Sequence, residues 1–238
     1  MLNQLDGDLW CVDSVQRLGA GVQFPARMTI VRLSGESGEP GGLWIHSPVA
    51  IDDALAAQID ALGPVRHLVA PNSFHHLHMG PASARWPDAT VYAPVGLRRK
   101  RADLRIDVDL VDGHEVWAGE IEVLEIAGAP ALSEFVFLHR ESATLILCDL
   151  VFNMHEATGA LTKLVLRMVG AWQRTTQSKL WRRVTKDRAV AASCCARMLE
   201  LEFSRVIMSH GQSIEGADAR ERLRSALEWM LGGLRSAA

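Results

Sequence analysis

The sequence is short of several things, and each shortage excludes something. No apolar run reaches the roughly 18 residues of a membrane span. Basic charge is not in excess. Lys and Arg number 25 against 28 Asp and Glu, a formal net charge of −3. A dedicated nucleic-acid binder carries a clear basic surplus, so nucleic acid is not an expected partner. The four cysteines, Cys11, Cys148, Cys194 and Cys195, show no CxxC spacing. Adjacent Cys194 and Cys195 are awkwardly placed to bridge each other, and all four are expected as reduced thiols. The opening MLNQLDGDLWCVD has no basic n-region and no apolar h-region. A secretory signal is therefore not expected, and the expected location is the cytoplasm. Repeats of 20–50 residues and low-complexity linkers are also missing.

What remains is an ordinary globular balance, 48% hydrophobic and 22% charged over 238 residues. That length suits one large domain, expected over residues 1–238.

The first half has the pattern of short strands with turn punctuation. Strands are expected at Ala26 to Leu33, Leu43 to Pro48, Val65 to Ala70 and Thr90 to Tyr92. The Gly-rich run Ser34 to Gly42 is expected to be a hairpin-like loop. Ile51 to Leu62 has helical spacing and stops at Gly63-Pro64. Leu110 to Ile126 alternates turns and strands, with Asp112-Gly113 as a hairpin candidate. Glu134 to His139 and Thr144 to Leu150 form the next strand pair. From His155 the pattern turns helical: one long segment to Arg188, another from Val190 to Leu201, and a last from Asp218 to Leu231. A strand, Arg205 to Ser209, interrupts them. Strands first and helices later fit sheets covered by helices.

The densest chemistry is Pro71-Asn72-Ser73-Phe74-His75-His76-Leu77-His78, directly after a buried strand. Imidazole is the commonest metal ligand, and a loop at a strand end can hold it rigidly. A polar loop whose histidines cap the next helix is the plainer alternative. Two other strand ends carry metal-capable groups: Asp149 after Thr144 to Cys148, and His210 after Val206 to Ser209. An unpaired carboxylate at the end of an apolar strand is costly, so Asp149 needs a partner.

With these residues the sequence resembles the metallo-β-lactamase-fold superfamily, and more closely a divergent, uncharacterised branch of it. The resemblance runs over roughly residues 7 to 231. The superfamily signature is HxHxDH after a buried strand, then a separate His, an Asp after an apolar strand, and a C-terminal His. Laid without gaps, Pro71 and Ser73 stand where the first two histidines belong. His75 falls on the signature Asp and His76 on its last His. The separate His would lie at Ala129 or Pro130 and is missing. Asp149 and His210 match the Asp and the C-terminal His. The resemblance thus implies loss of the first metal site and one metal in the second, held by His75, His76, Asp149 and His210. A slip of the alignment would put His78 in place of His75.

The fold it implies is α/β, an αββα sandwich of two mixed β-sheets flanked by helices, with a basic helical insert at about 155–188. The cofactor implied is one divalent metal per chain, zinc first, with iron and manganese as alternatives. Superfamily members mostly hydrolyse esters, thioesters, amides or phosphoesters with a metal-activated water. The expected function is a metal-dependent hydrolase of a small, anionic substrate, with Asp149 and His75 in the catalytic set. Glu134, near the missing His, is a candidate general base or substitute ligand; a strand-end carboxylate in solvent is the alternative. Asn72, Asn153, His155 and His46 are further polar groups at strand ends. Two other classes stay open: a binding or regulatory protein on a degenerate scaffold, and an iron-dependent redox protein.

The insert is the strongest charge feature. Lys163 to Arg188 holds eight basic residues against Asp187 alone, or +7, leaving −10 for the rest of the chain. It also carries Leu161, Leu164, Met168, Trp172, Leu180 and Trp181. A lid for an anionic substrate, an anionic membrane surface and a homodimer interface compete with a helical hairpin whose basic face is merely solvated.

Overall fold

The structure is a computed structural model that describes residues 1–17, 21–35, 41–117 and 119–234. Residues 36–40 of the expected Ser34 to Gly42 loop lie outside the described residues. The chain divides into two compact units. One comprises residues 1–14 and 27–110, the other residues 15–26 and 111–238.

A seven-stranded mixed sheet runs in the order β1 (Leu2–Asp6), β2 (Leu9–Arg17), β3 (Gln23–Arg32), β4 (Leu43–His46), β5 (Val65–Val69), β6 (Thr90–Pro94), β7 (Val108–Leu110). Strands β4 to β7 are mutually parallel. Parallel neighbours need crossovers, and helices α1 (Asp53–Asp60), α2 (Met79–Arg85) and α3 (Val95–Lys100) supply them. Asp52 caps α1 by accepting from Leu55 N at 2.8 Å, and Ala56 and Ile59 are its buried residues. The central strands are apolar because they are covered: Leu43, Trp44, Ile45, Leu68 and Val69 have no exposed surface. The loop carrying His75 and His76 follows the C-terminal end of β5, where parallel sheets place their ligands.

In the second unit a five-stranded mixed sheet runs in the order β14 (Ile214–Glu215), β13 (Arg205–Ile207), β10 (Thr144–Ile146), β9 (Glu134–His139), β8 (Ile121–Ile126). Only the β10–β13 pair is parallel. Helix α6 (Arg188–Glu200) covers this sheet with Ala191, Ala192, Cys195, Met198 and Leu199, which recur on one helical face. Asp187 caps α6 by accepting from Val190 N at 3.0 Å. Helices α7 (Ala219–Ala226) and α8 (Glu228–Leu231) complete the core with Leu223, Leu227 and Met230.

Two expectations are corrected. Asp112-Gly113 is a turn, but it does not close a hairpin between β7 and β8. Strand β7 pairs with β6, while β8 pairs with β9 in the other sheet. Gly113 instead donates to Val123 O at 2.9 Å. Nor is residues 155–188 one long helix. It forms α4 (Ala160–Met168), β12 (Arg174–Thr176) and α5 (Lys179–Val184). Gly159 and Gly170 take positive φ of 85° and 76°, which an α-helix does not accommodate. Gln173, at φ 52°, joins them. The chain then returns as β12 against β11 (Phe152–Met154). The β-branched Thr175 and Thr176 suit that extended return.

Candidate functional site

Asp149 and His210 leave the ends of neighbouring strands, β10 and β13, and meet. His210 Nε2 lies 3.0 Å from Asp149 Oδ1. His210 is buried, and its ring sits edge-on to Phe24 at 5.7 Å and to Phe152 at 4.8 Å between centroids. Its Nδ1 lies 2.6 Å from the Pro25 carbonyl. A carbonyl only accepts, so Nδ1 carries a proton. Nε2 is then the nitrogen left to face the carboxylate. If Nε2 were a bare lone pair, two acceptors would face each other. A proton or a cation must lie between them. Burial pulls the His210 pKa down, but Asp149 and the Pro25 carbonyl outweigh it and raise the pKa above the ordinary histidine value.

The backbone around this pair is tightly specified. Gly211 has φ 104°, and a Cβ there would lie 2.1 Å from Asn153 O. Only glycine lets the His210–Gly211 turn pass β11, where Asn153 bridges Gly211 in parallel fashion. Asn153 N donates to His210 O at 3.1 Å, and Asn153 Nδ2 donates to Gln212 O at 2.8 Å. Its Oδ1 accepts from Thr175 Oγ1 at 2.7 Å and lies 2.8 Å from His155 Nε2. Asn153 thus holds the β13 terminus in place.

Glu134 is not the solvent-facing strand-end carboxylate considered above. It is fully buried at the start of β9. One oxygen, Oε1, accepts from Cys148 N at 3.1 Å, Asp149 N at 2.8 Å and Leu150 N at 2.9 Å. Three converging amides on a carboxylate are charge-assisted hydrogen bonds, the strong kind. Glu134 therefore shapes the turn that aims Asp149. Trp181 Nε1 adds a hydrogen bond to Asp149 O at 2.8 Å. The sequence suggests a chemical role for Glu134; its three amide bonds give it a positioning role.

The histidine loop belongs to the other unit. Asn72 Oδ1 accepts from Phe74 N and His75 N, each at 2.8 Å, so Asn72 caps the turn. His75 Nδ1 lies 2.8 Å from Ser47 Oγ. A hydroxyl can accept from Nδ1–H, the kind of tautomer control that metal-ligating histidines have. His76 differs. Arg101 Nη1 lies 2.8 Å from His76 Nδ1, and a guanidinium only donates. The proton of neutral His76 then sits on Nε2. Burial, with Lys100 and Arg101 nearby, lowers its pKa. This pairing speaks against His76 as a ligand through Nε2. Partly buried His78 also has its pKa lowered by burial. His46 is buried, stacked on Trp44 at 5.7 Å, with its pKa pushed down to about 3 by burial and by His75.

Sequence reasoning passed over Cys148. All four cysteines are thiols, and none of them is in a disulfide. Cys148 Sγ, however, lies within 4.8 Å of an Asp149 carboxylate oxygen and accepts from Ser209 Oγ at 3.2 Å. The signal was its adjacency to Asp149 in Cys-Asp-Leu. In sequence a lone thiol reads as a redox group before it reads as a soft ligand.

The fold with these two mixed sheets and flanking helices is that of the metallo-β-lactamases. The DIM-1 metallo-β-lactamase exposed to ceftazidime superposes with a TM-score of 0.65 at 13% identity, covering 100% of this chain and 97% of that one. The mono-zinc FIM-1 metallo-β-lactamase from Pseudomonas aeruginosa gives 0.62 at 16% identity, covering 100% and 95%. The metallo-β-lactamase from Hirschia baltica gives 0.62 at 13%, covering 95% and 96%. At these identities the likeness establishes the fold. Nothing among the curated proteins matches. Residues 6–190 match the family described as "Domain of unknown function (DUF4336)", and the chain belongs to that family.

Proposed function

We propose that this protein is a metal-dependent hydrolase with a single metal. Asp149 and His210 are the proposed core ligands. Cys148 is a candidate soft ligand, and His76 is left out of the proposed set because Arg101 donates to its Nδ1. One observation supports the reading most. A buried imidazole, its Nδ1 proton committed to Pro25 O, points Nε2 at a carboxylate 3.0 Å away. That arrangement has the tautomer control and the anionic partner that metal-ligating histidines have. The donors, imidazole and carboxylate with a nearby thiol, suit zinc first, then iron or manganese.

A bound divalent ion would lower the pKa of water and polarise a scissile carbonyl or phosphoryl group. The chain's own residues do the rest. Glu134 holds the Cys148–Leu150 turn so that Asp149 keeps its direction. Pro25 holds the His210 proton on Nδ1. Phe24 and Phe152 shield the imidazole from bulk water, which strengthens its interaction with charge. The proposed substrate is a small molecule with a hydrolysable ester, amide or phosphoester bond.

The test is elemental analysis of protein purified without added metal and without a metal-binding tag. About one zinc, iron or manganese ion per chain is expected. It should disappear in His210→Ala and in Asp149→Ala. A metal content unchanged in both variants would refute the ligand assignment.

A further inference from the structure

We propose that the exposed face of α4, together with the start of α5, docks on an anionic lipid bilayer. Helix α4 has two apolar sides. One is used: Leu166 packs with Phe152, Met154 and Ala171, with half-buried Val169 beside them. Thr162 anchors the same side by accepting from Gln23 N at 3.0 Å. The other side is bare. Leu161 is 40% exposed, Leu164 50% and Met168 59%. Steps of three and four residues put these three on a single stripe. Leu180, 42% exposed, opens α5. Lys179 N donates to Val169 O at 2.9 Å, which ties the first turn of α5 to the end of α4.

Cations border this stripe. Lys163 Nζ and the Arg167 guanidinium carbon stand 5.9 and 5.8 Å from the Trp172 ring centroid. That stacking holds both cations on one flank of α4. Arg174, Lys179, Arg182, Arg183 and Lys186 are exposed along the rest of the segment. The +7 of residues 163–188 stands in a chain of net −3.

Charge selects the occupant. A second copy would set +7 against +7, which opposes self-association through this face. A protein partner would be met by aromatic anchors, since interface cores are rich in Trp and Tyr and poor in Lys. Here Trp181 is buried and Trp172 lies half-buried beside its cations. Long aliphatic side chains with Lys and Arg beside them are the composition of helices that lie in a membrane interface. No helix among the described residues is long and apolar enough to cross a membrane. The contact proposed is therefore a surface one, and it does not depend on the metal.

The test is flotation of the full chain with phosphatidylcholine vesicles, with and without phosphatidylglycerol. Binding is expected only to vesicles containing phosphatidylglycerol, and it should fall with salt. Two double variants separate the contributions: Leu164→Gln with Met168→Gln, and Arg167→Glu with Arg183→Glu. Both alter exposed positions, and an unchanged melting curve confirms that they fold. The apolar pair should abolish flotation. Each charge reversal should weaken binding by more than the roughly fivefold that loss of one surface cation costs. No flotation of the wild type on either vesicle overturns the proposal. So does binding that survives loss of Leu164 and Met168, which would mark the face as an electrostatic surface for an acidic macromolecule. A wild-type dimer that becomes monomeric in the apolar variant would make it a self-interface and overturn the proposal as well.

Discussion

His210 Nε2 and Asp149 Oδ1 lie 3.0 Å apart while His210 Nδ1 is already committed to the Pro25 carbonyl. Two strand ends therefore converge on a place that needs a positive charge between them. A divalent ion that binds there stabilises only the folded chain. Added zinc at 100 times its dissociation constant should contribute about 2.7 kcal/mol and raise Tm by several degrees. Asp149→Ala should show no such rise. A thermal scan with metal and with chelator measures both.

Glu134 determines where Asp149 points, through three amides on one carboxylate oxygen. Glu134→Ala removes that acceptor and leaves buried N–H groups unsatisfied. The expected cost is about 3–5 kcal/mol, in the range for breaking a buried charged network. Glu134→Gln keeps an acceptor oxygen without the charge, and should cost about 1–3 kcal/mol. Both should weaken metal binding, although Glu134 is not a proposed ligand. Urea denaturation with metal titration separates the two effects.

Gly211 is confined from two directions: its φ is 104°, and a Cβ would meet Asn153 O at 2.1 Å. Gly211→Ala must shift backbone and not a flexible side chain. A loss of about 2–4 kcal/mol is expected, among the larger single-residue effects. Gly113→Ala is the contrast, since at Gly113 nothing lies within 4 Å of an added Cβ. Its cost should be that of the positive φ alone, about 1 kcal/mol. Chemical denaturation of both variants compares the two.

His67 gives a pH signature away from the proposed ligands. Burial, and then Arg66, lower its pKa from 6.5 to about 4. Its Nδ1 lies 3.2 Å from Tyr92 Oη across the β5–β6 pair. The unfolded chain takes up a proton on His67 at higher pH than the folded one. Stability from this group is therefore fully present above pH 6.5 and lost as pH falls toward 4. His67→Gln should flatten that part of the stability profile. Urea midpoints at pH 7, 5.5 and 4.5 test it; equal slopes in variant and wild type would refute the assignment.

Much of this was legible in the sequence, for identifiable reasons. Short apolar runs bounded by Gly, Pro and Asp mark β4, β5, α1 and β9. Gly63-Pro64 is a local signal that acts on its neighbours whatever the rest of the chain does. The alignment of Asp149 and His210 with the superfamily pattern brought together two residues 61 positions apart, and the structure pairs them. Pairings between distant segments were harder to foresee. Asp112-Gly113 has hairpin chemistry, yet β7 and β8 join different sheets, because partner choice depends on strands not yet in view. Residues 155–188 carry helical composition, yet Gly159, Gly170 and Gln173 break it through positive φ that composition does not announce.

The sequence by itself determined which residue types stand at the strand ends, where the basic charge is concentrated, and the alternation of strands and helices. These follow from side-chain hydrophobicity, charge and turn chemistry, which are local. Only the tertiary structure decided that Glu134 is an anchor and not a surface acid, that Arg101 sets the His76 proton, that Pro25 sets the His210 proton, and that Leu164 and Met168 face solvent. Each of those depends on a hydrogen-bond partner or a packing surface supplied from elsewhere in the chain, and such contacts exist only once the chain has folded.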